Sequence, residues 1–105
     1  DARKKWIISS LSSSAKIYID QGASKALKSG KSLLPAGIIK VSGTFKKGDN
    51  ILIVDNNNVD IARALSSFTS GEINKIKGLQ SDQIENILGY SSKSEIVHKD
   101  DMVIL

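Results

Sequence analysis

With 105 residues, 40% of them hydrophobic and 25% charged, the chain has the composition of one folded domain, which excludes an intrinsically disordered segment and leaves no room for a second core. It contains no cysteine, so a disulfide framework and a thiolate metal site are excluded and a reducing, cytoplasmic setting is expected. The longest uncharged apolar run, 33–39, is far short of the ~20 residues that span a bilayer and no signal peptide opens the chain, so no membrane partner is expected.

Fifteen basic against eleven acidic side chains, a net charge of +4, permit a polyanionic partner through counterion release without requiring one. The first residue is Asp1 rather than Met, directly before the basic run Arg3, Lys4, Lys5, and the chain reads as a piece of something longer.

In chain order, the β-branched and aromatic stretch 16–19 predicts a strand. Residues 20–30 predict a helix that Asp20 caps, with Ala23, Ala26 and Leu27 at core-facing spacing and Gly30 in the left-handed C-terminal position. The only proline, Pro35, makes 33–37 a shaped loop, and Gly37 permits a turn into a strand at 38–41. Turn chemistry at 43–49 leads to an apolar strand at 51–54, the Asp55-Asn-Asn-Asn58 turn, and a returning strand at 59–66. Thr69 with Glu72 forms a capping-box pattern ahead of Ile73 and Ile76, and Ser81 opens a further helix in which Ile84, Ile87 and Leu88 share a face before Gly89. Apolar pieces at 96–97 and 102–105 end the chain, the last as a strand. The expected architecture is α+β, mainly β: five or six short strands with two or three helices in a small, partly closed sheet or barrel.

No arrangement of residues supports catalysis. Gly30-Lys31-Ser32 has the tail of a phosphate-binding loop, but Lys25 stands where the first loop glycine belongs and the motif follows a helix instead of opening one. His98 is the sole histidine, and Asp100 and Asp101 are too close in sequence to complete a metal site, so none is expected and a surface or structural role fits it. No nucleophile signature accompanies it: Ser9, Ser10, Ser12, Ser13 and Ser14 form a polar stretch. Glu72, Asp82, Glu85 and Asp100 sit at helix starts or charged turns, where capping and solvation account for them.

At three places a binding reading stays open beside a structural one. Strict alternation places Arg63 on an otherwise apolar strand face with Ile61 and Leu65, where its stem packs at a sheet edge with the guanidinium on a carboxylate, or else it meets an anionic ligand. Lys28 and Lys31 flank Gly30, where they complement the helix dipole or meet phosphate oxygens. Trp6, beside the basic run, anchors a terminal segment or stacks on a base.

Several segments, in order, resemble the C-terminal PUA domain of bacterial glutamate 5-kinases: Ala2-Arg-Lys-Lys-Trp-Ile7, Asp20-Gln-Gly-Ala-Ser-Lys-Ala-Leu27, Gly30-Lys-Ser-Leu-Leu-Pro-Ala-Gly-Ile38, Gly43-Thr-Phe-Lys-Lys-Gly-Asp49, Ile61-Ala-Arg63, Ser81 to Tyr90 with its Ile-Leu-Gly-Tyr, and Val97-His-Lys-Asp-Asp101. The resemblance implies a PUA-like pseudo-barrel over the whole of 1–105, with no catalytic residue of its own. It implies an accessory or regulatory role beside an N-terminal amino acid kinase domain that lies outside this chain. That domain would use ATP and magnesium to phosphorylate L-glutamate, the first step of proline biosynthesis, in a homo-oligomeric cytoplasmic enzyme. The alternative it implies is an RNA-binding module. By motif, RNA would meet Lys28, Gly30, Lys31, Ser32, Leu33 and Arg63, and the methyl of Ala64, where many relatives carry glycine, would obstruct close backbone approach.

Overall fold

The computed structural model describes residues 15–90 and 93–105. The basic run at 3–5, Trp6 and the serine-rich stretch at 9–14 lie outside the described residues.

Five strands form one mixed sheet in the order β2-β1-β3-β4-β5, with β1 Lys16–Ile19, β2 Ile38–Ser42, β3 Asn50–Val54, β4 Asp60–Leu65 and β5 Met102–Ile104. β1 runs parallel to β3 and every other neighbouring pair is antiparallel. Among the described residues the sheet is open and not a closed barrel, because β2 and β5 each have a strand on one side only. β3, whose Ile51, Leu52, Ile53 and Val54 are all buried, sits at its centre, as expected of a short continuous apolar run.

Among the described residues three α-helices contribute to the core beside this sheet: α1 Gln21–Lys28, α2 Ser70–Ile76 and α3 Ile84–Leu88. The Asp20 carboxylate accepts the Ala23 N–H at 2.7 Å and so caps α1, which stops ahead of Gly30 at φ +87°. α2 opens with both halves of a capping box, Glu72 N–H to Thr69 Oγ1 at 3.1 Å and Thr69 N–H to Glu72 Oε1 at 2.8 Å. Glu72 also accepts the Tyr90 hydroxyl, which ties the far end of α3 to the start of α2.

One core results. Ile17, Ile19, Ile51 and Ile53 of the sheet pack with Leu27 of α1, Phe68, Ile73 and Ile76 at α2, and Ile96 and Val97. Burying each such side chain contributes about 1.5–3 kcal/mol, which is why helices as short as these hold their shape.

Three expectations shift on the structure. The returning strand is shorter than 59–66, because Asp55 Oδ1 accepts the N–H groups of Asn57 and Val59 at 2.8 and 3.0 Å, and this local turn takes Val59 out of the ladder. Ser81 does not cap α3; it starts a single 3-10 turn, Ser81–Gln83, and its hydroxyl donates to the Ser94 carbonyl at 3.1 Å. Ile87 does not share the core face and is 46% exposed, since a five-residue helix covers only the line through Ile84 and Leu88.

Candidate ligand groove

α1 and the loop that follows it come back together further along the chain. Leu33 pairs with Val97 as an isolated antiparallel bridge, with Leu33 N–H to the Val97 carbonyl at 2.9 Å and Ile96 N–H to the Leu33 carbonyl at 2.8 Å. Beside it the Lys99 N–H reaches Ser32 Oγ at 2.8 Å across 67 residues of sequence. At the other end of α1, the Asp20 N–H meets the Gly37 carbonyl at 3.0 Å. A Cβ at Gly37 would lie 2.5 Å from that of Ala23, so glycine is needed there for close approach of loop and helix.

Between these contacts lies a groove of about 580 Å³. α1 lines it with Gly22, Ala23 and Ala26, the loop with Gly30 through Leu34, Ala36 and Gly37, and the C-terminal segment with Glu95, His98 and Lys99. A smaller cleft of about 220 Å³ shares Gly30 and Lys99 with it and reaches β5.

Four of the residues expected from sequence, Gly30, Lys31, Ser32 and Leu33, line the groove together. Lys28 is exposed at the end of α1 and outside the lining. Arg63 is elsewhere: β4 is flanked on both sides, Leu52 and Val103 pair with Arg63, and its Nη1 donates to Asn50 Oδ1 at 3.4 Å. The edge position and the carboxylate partner expected for Arg63 are replaced by an interior strand and a neutral amide. Ala64 is fully buried in the core, so its methyl leaves the groove unaltered.

Asp20, Glu95, His98 and Lys99 are groove residues that sequence reasoning missed. Asp20 looked like a cap and nothing more, and the others reach the groove through the long-range bridge at Val97, which no local pattern signals. His98 Nδ1 accepts the Asp100 N–H at 3.0 Å, which makes Nε2 the protonated nitrogen of the neutral ring. Among the described residues no three His, Asp or Glu side chains are grouped to hold a metal ion, and no helix is long and apolar enough to cross a membrane.

A small mixed sheet with a capped helix between two antiparallel neighbours, and a loop that opens a groove beside it, defines a small α+β domain with a candidate ligand groove. The PUA domain model matches residues 15–88, and the chain belongs to the PUA domain family. Over 103 residues it is 62% identical to glutamate 5-kinase from Pelagibacter ubique (strain HTCC1062), covering 98% of this chain and 28% of that protein. The chain thus spans under a third of the length of the curated relative it matches. Among solved structures it resembles a PUA domain from Aeropyrum pernix K1 in a tartrate complex, with TM-score 0.61 and 17% identity over 81% of this chain and 41% of that one, a likeness of fold. It also resembles a chain of an H/ACA RNP bound to a substrate RNA, with TM-score 0.54 and 29% identity over 56% of this chain and 19% of that one.

Proposed function

We propose that this chain is the non-catalytic accessory domain of a glutamate 5-kinase, an ATP- and magnesium-dependent phosphotransferase at the start of proline biosynthesis. In this reading it acts by contact with an N-terminal amino acid kinase domain, in a cytoplasmic homo-oligomer. What supports the reading is the extent of the likeness: nearly the whole chain aligns at 62% identity, yet with only 28% of the relative, which leaves the larger part to carry the reaction.

The chain's own residues do not fit ATP and magnesium. Gly30 closes α1 at φ +87°, the Lys31 N–H is spent on the Ala26 carbonyl, and Ser32 Oγ is engaged by Lys99, so Gly30-Lys31-Ser32 is no phosphate cradle. An ADP-release assay with L-glutamate, ATP and magnesium tests the reading. Turnover is expected from the longer gene product containing this segment and none from the 105-residue chain; turnover by the chain alone, or none by the longer product, overturns it.

RNA binding is the second reading. The likeness to a ribonucleoprotein solved with RNA favours it, as does the pair Lys31 and Lys99 at one end of the groove. Against it stands the lining, which among the described residues has no Phe, Tyr, Trp or Arg and offers only the His98 ring for an unpaired base to stack on. Fluorescence anisotropy with a structured RNA across salt concentrations decides the matter. In this reading Lys31→Ala weakens binding and lowers the salt slope by about one; no binding by the unaltered chain at low salt removes the reading.

A further inference from the structure

The groove has two electrically opposite ends, and the bridge between its walls fixes which is which. Leu33 and Val97 pair antiparallel, so Lys31 lies across from Lys99, and the walls run from there toward Glu95 on one side and Ala36 and Gly37 on the other. The Asp20 N–H to Gly37 carbonyl contact places Asp20 at the end of the loop wall away from Lys31, and Glu95 lines the same groove on the facing wall, on the side of Val97 opposite to Lys99. α1 runs the length between them, its eight residues covering about 12 Å. Lys31, Lys99 and His98 therefore stand at one end, Asp20 and Glu95 at the other, and Ala23, Ala26 and Leu34 form an uncharged middle. Among the described residues Lys31, Lys99 and Glu95 make no ion pair that would already consume their charge.

A polyanion lying along this groove meets two carboxylates at one end, whereas a ligand with one charge at each end is matched at both. The charges of a free amino acid sit too close together to reach both ends. An extended chain advances about 3.3–3.6 Å per residue, so about three residues cover the distance. A volume of about 580 Å³ is within the usual range of small-ligand sites. We propose that the groove binds short zwitterionic peptides of about three residues, with the α-ammonium at Asp20 and Glu95 and the terminal carboxylate at Lys31 and Lys99. This goes beyond the accessory-domain reading and holds or fails independently of it.

Titration of the nitrogen-15-labelled chain, followed at the amides of Gly22, Ala26, Gly30 and Lys99, tests the proposal with four probes. Trialanine is expected to shift all four resonances to saturation. N-acetyl-trialanine, which lacks the ammonium, trialanine amide, which lacks the carboxylate, and free alanine, whose charges are too close, are each expected to bind at least about tenfold more weakly. Glu95→Gln should shrink the penalty for acetylation, and the double change Lys31→Gln with Lys99→Gln should shrink the penalty for amidation. Lys75→Gln on the exposed side of α2 should leave every titration unchanged. The proposal is overturned if trialanine gives no saturable shift, if either blocked form binds as tightly as trialanine, or if hexauridylate occupies the groove through to Gly22 where trialanine does not.

Discussion

A single absent methyl group sets how closely α1 lies against the loop before β2. Gly37 is needed because Ala23 occupies the space a Cβ would take, 2.5 Å away, and neither residue is a flexible chain end that could swing aside. Gly37→Ala is therefore expected to destabilise the fold by about 1–3 kcal/mol, read from the urea midpoint at unchanged slope. An unchanged midpoint would mean that α1 sits further from the loop. From sequence Gly37 is legible as a turn residue, and its actual role is not, because the atom it avoids belongs to a helix whose lateral position no local pattern encodes. Arg63 teaches the same lesson: alternation gives its side of β4, but whether β4 lies inside the sheet depends on where β5 pairs.

Within single elements the sequence was easier to read, since a cap involves neighbours three residues apart. Asp20, Thr69, Glu72 and Gly30 all do what their positions imply. The tie between elements was not legible: Glu72 and Tyr90 are 18 residues apart and meet only because α3 folds back on α2. That tie gives the domain a pH signature. Partial burial pushes the Glu72 carboxyl up, but the Tyr90 hydroxyl, the Thr69 N–H, nearby Lys47 and the Thr69 hydroxyl together hold it below its ordinary 4.5. The Tyr90 hydroxyl is raised above its ordinary 10.0, first by its hydrogen bond to Glu72. A lowered carboxyl contributes stability that is fully present above 4.5 and is lost as pH falls through the folded-state value. A raised phenol contributes stability that is present below 10.0 and is lost as pH rises through its own folded-state value. In Tyr90→Phe the Glu72 titration followed by carbon-13 NMR is expected to move back toward 4.5 and the acid limb of the stability curve to move up with it. If the Glu72 midpoint stays put, the backbone and Lys47 alone depress it.

At the scale of the whole molecule, strands and helices all feed one core, so the chain is expected to melt in a single transition with a far-ultraviolet dichroism spectrum that carries both strand and helix contributions. Two separate transitions, or a spectrum with no strand contribution, would contradict the architecture. The strand count and the hairpin were legible because apolar runs and turns are local; the sheet order, with β1 lying beside β3 and β2 pushed to an edge, was not. The bridge from Leu33 to Val97 has one more consequence, for the order of events during synthesis. A chain emerging from the ribosome exposes β1, α1 and β2 before residues 95–99, so the groove has only one wall until that segment emerges. Closing that wall also brings β5 onto β4, since only the 3-10 turn Lys99–Asp101 separates the two events. Any ligand held between Lys31 and Lys99 then favours a chain in which residues 95–104 have been made over one stalled before them, and does so by mass action.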